Sequence, residues 1–234
     1  MRQNGVPTML KVAVDAEERL GGLLMAWWGG RGAAREGDAI LMERAENGIS
    51  LTELAQNDRD DEATHIISAV LAKLHAPRSL PPPPELVPLT QWFAALKPAA
   101  DAHGGILQLS AATASELLMT QQDVMVLHGD VHHGNVLDFG QRGWLVIDPK
   151  GLCGERSFDY ANLFCNPDIE TATTPGGMAR RLELIAESAA LDRGRLLRWI
   201  VAWAGLSASW LIEDGESRDR PLNVAEPAAT ELCR

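Results

Sequence analysis

In the stretch 61–76, DEATHIISAVLAKLHA, the apolar residues Ile66, Ile67, Val70, Leu71 and Leu74 recur at the spacing of one helix face. They predict an amphipathic helix. The same period runs through 176–190 and 193–213, predicting two more helices, with Trp199, Trp203 and Trp210 on roughly one face of the second. Core packing is their expected role. Residues 86–120 predict a helix pair broken near His103-Gly104-Gly105, behind a stiff connector at Pro81 to Pro84. Nearer the N-terminus the pattern changes. Asn4-Gly5 is a hairpin turn signal, and Pro7 to Val14 reads as the strand leaving it. DAEERLGGLLMAWW, residues 15–28, places acidic residues before apolar ones, as a helix does when negative charge favours its N-terminal end. Gly21-Gly22 works against that helix. Gly29-Gly30-Arg31-Gly32 then breaks the chain, and Ala39 to Met42 reads as a second strand.

The predicted fold class is therefore α+β. A small strand-and-helix segment over residues 1–46 precedes a mostly helical lobe over 47–234, with a hinge near 43–48. Only Met1-Arg2-Gln3 lie ahead of the Asn-Gly turn, so most of a first strand is expected to be missing.

Composition narrows the function. Hydrophobic residues make up 46% and charged residues 23%, as in an ordinary globular protein. A formal charge of −11 argues against a nucleic-acid partner and suits a cationic small molecule. Cys153, Cys165 and Cys233 form no metal-type spacing and read as reduced thiols. The N-terminus has no apolar signal core, and the longest uncharged stretch, WIVAWAGLSASWLI, has 14 residues, too few to span a bilayer. A soluble cytoplasmic protein with no membrane partner is expected.

The chemistry is concentrated in LHGDVHHGNVLDFGQRGWLVIDP, residues 127–149. Val136 to Phe139 and Trp144 to Ile147 flank Gly140-Gln141-Arg142-Gly143 as a β-hairpin. Pairing its strands brings Asn135 and the loop of Asp130 close to Asp148. Such hard oxygen donors suit Mg²⁺ shared with substrate phosphates. Phosphoryl-transfer enzymes of the kinase type place a catalytic Asp five residues before a metal-binding Asn, with a second metal-binding Asp after a hairpin. Asp130, Asn135 and Asp148 have that arrangement. Asp130 would accept the acceptor hydroxyl's proton, and Asn135 and Asp148 would hold Mg²⁺. A dinuclear metallophosphatase is the rival from another class, on Asp101-Ala102-His103, Gly129-Asp130 and Gly134-Asn135. Its ligands should come from several separate strand ends. Here two of the three segments share one loop.

HGDVHHGNVL followed by WLVIDPKG resembles the aminoglycoside phosphotransferase branch of the protein-kinase-like fold. RGWLVIDPKGLCGERSFDYANLF, with GGRGAA at 29–34 and LMERAENG at 41–48, is similar to the streptomycin 6-phosphotransferase and hydroxyurea kinase group. The resemblance implies a two-lobed fold, here with a truncated N-terminal lobe lacking the Gly-rich hairpin. It implies Asp130 as catalytic base and Asn135 and Asp148 as magnesium ligands. Lys11 matches the strand lysine that contacts nucleotide phosphates, with Glu18 as its helix partner and Glu17 as the near alternative. Glu43, Arg44 and Ala45 match the hinge that meets adenine through backbone groups. His128 and Asp159 match positions that brace the catalytic loop. His132 and His133 receive no ligand duty, and His75 reads as a packing or capping residue. The implied reaction is ATP-dependent O-phosphorylation of a small molecule, foremost streptomycin at its 6-hydroxyl, conferring antibiotic resistance. Hydroxyurea is the alternative acceptor, and a weakly active or inactive remnant the alternative state. A cationic aminocyclitol implies acidic groups around its site, with Glu213 and Asp214 as candidates.

Overall fold

The structure, a computed structural model, describes residues 2–232 apart from Asn4, residues 30–33, Gly37, Asp38 and Asn47. Asn4 of the turn signal, most of GGRGAA and Cys233 lie outside the described residues.

The N-terminal segment is an antiparallel sheet with one helix. Strands β1 (Arg2–Gln3), β2 (Val6–Val12), β3 (Ala34–Glu36) and β4 (Ala39–Glu43) lie in the order β1-β2-β4-β3. β2 and β4 pair from Thr8 opposite Glu43 to Val12 opposite Ala39. Helix α1 (Ala16–Trp27) starts on a reciprocal cap. Asp15 Oδ1 accepts the Glu18 N–H at 2.9 Å, and Glu18 Oε2 accepts the Val14 N–H at 2.7 Å. The glycines that weaken α1 in isolation serve its packing. A Cβ on Gly21 would lie 2.3 Å from Pro149 O, and one on Gly22 would lie 2.3 Å from Ile40 Cδ1. At Gly151, whose φ is +71°, a Cβ would lie 2.4 Å from Leu20 Cγ. Only backbone-width residues allow α1 to sit this close to both β4 and the segment after Asp148.

The larger lobe opens with α2 (Leu51–Gln56) and α3 (Asp60–Leu74). Next come β5 (Val87–Pro88), α4 (Leu89–Trp92), α5 (Leu96–His103) and α6 (Ile106–Met119). Gly104 and Gly105, with φ of +65° and +60°, make the break between α5 and α6. After residues 124–155, α7 (Phe158–Ala161), α8 (Ile169–Ala172), α9 (Gly177–Ser188), α10 (Arg193–Glu213) and α11 (Asp219–Leu232) complete the lobe. Most of α10 is buried, with Trp199 fully enclosed. Its ring meets Phe158 at 5.7 Å and Phe93 at 6.0 Å between centroids. Buried charge is paired. Glu155 accepts from Arg195 Nε at 2.6 Å, Trp199 Nε1 at 2.8 Å and the Gln122 N–H at 3.0 Å. Arg181, 4% exposed, bonds Asp60 through Nε and NH2 and also reaches the Leu163 and Asn166 carbonyls. Among the described residues, no helix is long and apolar enough to cross a membrane.

Two small sheets position the site. β6 (Val124–Leu127) pairs antiparallel with β9 (Leu152–Glu155), setting Leu127 opposite Leu152, and β5 joins β9 in parallel. β7 (Val136–Asp138) and β8 (Trp144–Val146) form the expected hairpin, Val136 opposite Val146. Chain entering the loop at 128 and chain leaving it after 148 are therefore neighbours twice over.

Candidate active site

Loop 128–135 is held by buried groups from distant helices. Asp159, on α7 with its side chain fully buried, accepts the backbone N–H of His128 at 2.9 Å through Oδ2 and that of Gly129 at 2.8 Å through Oδ1. His75, the residue that ends α3, places Nε2 2.8 Å from the same Asp159 Oδ2. Sequence reasoning gave His75 only packing or capping; its link to Asp159 spans 84 residues and leaves no local signal.

His128 is fully buried, and burial pushes its pKa down to about 4. A neutral ring fits its bonds: Nδ1 accepts the Asp130 N–H at 3.2 Å, which leaves Nε2 to donate to Ile147 O at 2.8 Å. The loop is thus tied to the chain just before Asp148. Ile147 N–H donates to Asn135 O at 2.9 Å, and Lys150 N–H donates to His128 O at 2.7 Å. Asp148, between these two ties, has a φ of +57°, an uncommon conformation for a residue with a side chain.

Asp130 is oriented from both sides. Asn162 Nδ2 donates to its Oδ1 at 2.9 Å, and Asn135 Nδ2 donates to its main-chain O at 2.9 Å and approaches Oδ2 at 3.4 Å. Burial raises the Asp130 pKa, while the charges of His132 and Lys150 and the Asn162 amide pull against that rise. The result is a fixed carboxylate with enhanced affinity for a proton, as a general base requires. Asn162 was not foreseen. His132 caps the short turn at 133–135 by accepting the Gly134 N–H through Nδ1 at 3.0 Å. His133 is buried, its Nε2 3.8 Å from Asp60 Oδ1, too long for a hydrogen bond.

Lys11 reaches across from β2 and places Nζ 2.7 Å from Asp148 Oδ1. Its expected helix partner is not Glu18, whose carboxylate is spent on the α1 cap. Nor is it Glu17, which accepts from Lys150 Nζ at 2.7 Å. The residues of α1 point their carboxylates to the cap and to the segment after Asp148, and Lys11 turns to Asp148 instead.

Asn135 donates its NH₂ to Asp130, which leaves its Oδ1 as an oxygen donor, and Asp148 supplies a carboxylate. One amide oxygen and one carboxylate are hard ligands of the type that Mg²⁺ combines with phosphate oxygens. The residues fit. Among the described residues, no group of three or more His, Cys, Asp or Glu forms a fuller cage. Asp101 of the phosphatase reading instead binds Lys97 on exposed α5 at 2.6 and 2.7 Å.

Two cavities meet this centre. The first, about 230 Å³, lies between the sheet and the hairpin, with Met9, Met42, Ala45, Leu137, Phe139 and Ile147 on its walls. Glu43 also lines it and binds Arg142 at 2.6 Å, tying the hinge to the hairpin turn. Arg44 N–H is committed to Pro7 O at 3.0 Å, and Ala45, like Glu43, borders the cavity. The second cavity, about 540 Å³, opens at Asp130, with Glu17, Lys150, Trp92, Trp203 and Trp210 on its walls. Burial disfavours the Lys150 ammonium, but Glu17 and the charges of Asp130 and Asp148 outweigh it and raise its pKa. Glu213 and Asp214, proposed from sequence for this region, are exposed beyond the end of the cavity wall. Of the expected core tryptophans only Trp199 is solely core; Trp203 and Trp210 also face the cavity.

The family model described as aminoglycoside/hydroxyurea antibiotic resistance kinase matches residues 1–215. The chain is 48% identical to streptomycin 3''-kinase of Klebsiella pneumoniae over 224 residues, covering 92% of this chain and 84% of that protein. It is 31% identical to streptomycin 6-kinase of Streptomyces griseus, covering 96% and 77%. Among solved structures it superposes on aminoglycoside phosphotransferase APH(4)-Ia in complex with ADP and hygromycin B, with a TM-score of 0.64 and 11% identity. That match covers 98% of this chain and 87% of the other. With its protein-kinase-like fold, the chain belongs to the aminoglycoside/hydroxyurea antibiotic resistance kinases and is a small-molecule kinase.

Proposed function

We propose that the chain transfers the γ-phosphoryl group of ATP to a hydroxyl of streptomycin, in the cytoplasm, and so inactivates the antibiotic. The observation that carries this reading is the position of Asp130. It lines a 540 Å³ cavity, held by Asn162 and Asn135, and the main-chain O of the second accepts the N–H of Ile147, the residue before Asp148. Asp130 orients the acceptor hydroxyl and takes its proton, Lys11 contacts the nucleotide phosphates, and the apolar cavity at Ala45 accepts adenine. Asn135 and Asp148 hold Mg²⁺, which when bound neutralises charge on the phosphates. His128 and Asp159 keep the loop in register. Residues 1–46 serve as the nucleotide-binding lobe and 47–234 as the catalytic and acceptor-binding lobe.

The 3''-hydroxyl is the acceptor we favour, because identity to the streptomycin 3''-kinase, 48%, exceeds the 31% to a streptomycin 6-kinase. This revises the 6-hydroxyl expected from sequence motifs. That hydroxyl stays as the second reading, supported by those motifs. Hydroxyurea, a molecule of a few heavy atoms, would leave most of the cavity unfilled. Purified protein supplied with streptomycin, Mg²⁺ and γ-labelled ATP should yield labelled drug, and phosphorus–proton NMR correlation would locate the phosphate. Labelled product at another hydroxyl would overturn the regiochemistry. No labelled drug from a folded sample would overturn the acceptor.

A further inference from the structure

The tryptophans around Asp130 border the core without all being enclosed by it: Trp203 is buried, and Trp92 and Trp210 pack against the core from its edge. Trp199 is enclosed and donates its Nε1 to Glu155 at 2.8 Å. Trp92 and Trp210 are only partly buried, and their rings meet at 5.4 Å between centroids and 75° between planes. Two indoles near a right angle form a corner rather than a stack. Both line the 540 Å³ cavity with Trp203, and Trp92 Nε1 is buried with no hydrogen-bond partner among the described residues. These indoles leave aromatic surface and one indole N–H available to a ligand in the cavity.

The charges on the walls say what kind of ligand. Glu17 and Asp130 carry two negative charges, and Lys150 supplies one positive charge through its 2.7 Å bond to Glu17. One negative charge is left uncompensated inside an aromatic enclosure. A cation balances it; a neutral ligand does not, and an anion adds to it. Planar, weakly hydrated guanidinium stacks on an indole face more readily than a strongly hydrated ammonium does.

We infer that the corner formed by Trp92 and Trp210, in the cavity shared with Trp203 and Glu17, is the subsite for a guanidinium group of the acceptor. This inference rests on the streptomycin reading above and adds the residues that recognise the drug. The ring faces hold the cation, the net negative charge of the Glu17–Lys150–Asp130 set balances it, and the acceptor hydroxyl is left facing Asp130.

The test is direct binding without nucleotide, followed by tryptophan fluorescence and calorimetry. Streptomycin is compared with its guanidinium-bearing fragment streptidine and with streptamine, the same cyclitol with amines in place of the guanidino groups. The full chain is used as wild type, Trp210→Phe and Trp210→Leu, with circular dichroism and ATP binding as checks on folding. Streptidine should bind more tightly than streptamine, Trp210→Leu should weaken streptomycin about tenfold, and Trp210→Phe should retain most of the affinity. Should Trp210→Leu fail to fold, Trp92→Leu takes its place with the same expectation. Undiminished binding by a folded leucine variant, or equal binding of streptidine and streptamine, would overturn the subsite while leaving the kinase reading intact. Wild type that binds streptidine but neither binds nor phosphorylates streptomycin would overturn the proposed acceptor and support the subsite. Wild type that binds none of the three would overturn both.

Discussion

Lys11 Nζ and Asp148 Oδ1, 137 residues apart, stand 2.7 Å from each other across the cleft between the sheet and the hairpin. The lysine proposed for the nucleotide phosphates thus neutralises the carboxylate proposed for their metal. Both side chains are partly exposed, so the pair adds little to folding, about 0–1 kcal/mol. Its weight lies in the reaction. Lys11→Met is expected to lower kcat/KM for ATP by about 10²-fold while leaving the thermal midpoint nearly unchanged. Steady-state kinetics beside a melting curve would check this; a large loss of stability would show that the pair is structural.

Asp130→Asn removes the proton acceptor but keeps the shape and the approach of Asn162. Turnover should fall by about 10²- to 10⁴-fold with nucleotide binding preserved. Label transfer in single-turnover conditions separates the two effects.

Asn162→Ala acts on the same carboxylate indirectly. Its amide bond to Asp130 favours the ionised form. Without it the Asp130 pKa rises further, so the acid limb of kcat/KM should move to higher pH. A pH–rate profile that keeps its acid limb in place would remove Asn162 from the mechanism.

Asp159→Asn keeps the volume but places an NH₂ where the backbone N–H of His128 or Gly129 now donates. Two donors would face each other in a buried site, at a cost of about 1–3 kcal/mol. The melting point and kcat should fall together, measured on the same preparation.

His128 has a folded pKa of about 4, below its ordinary 6.5. Between those values the unfolded chain binds a proton that the folded chain excludes. Stability is therefore greatest above pH 6.5 and falls toward pH 4, by up to about 3 kcal/mol for this group. Burial lowers His132 and His133 as well, so they steepen the same window. His128→Gln, which keeps a donor toward Ile147 O, should flatten the slope without abolishing it. Urea unfolding across pH 4–7 measures it.

The elements written as a period were legible in the sequence. The apolar face of α3, the α5–α6 break at two glycines and the extent of α10 follow from local pattern. Helix α2 carried a readable sign that went unused, Ser50 and Glu53 at capping-box spacing, with Ser50 Oγ accepting the Glu53 N–H at 3.4 Å. Helix α11 was hidden by Pro227 in its interior, which local propensity disfavours but packing of Val224, Ala225 and Ala228 against the lobe overrides. Asp130, Asn135 and Asp148 could be grouped from the sequence because loop and hairpin lie close in it. His75, Asn162, Lys150 and the tryptophan corner could not, since each meets its partner only after distant segments fold together. Helical period showed that Trp203 and Trp210 share a face; it could not show that the face borders a cavity.

The glycines of α1 carry a mechanical consequence. With Gly21 against Pro149, Gly22 against Ile40 and Gly151 against Leu20, the helix has no slack on either side. It works as a key seated in two locks, one in strand β4 and one beside Asp148. The helix thereby joins strand β4 and the backbone at Pro149, one residue past Asp148, into a single packed unit, so a larger side chain at Gly21 would push the sheet and that segment apart.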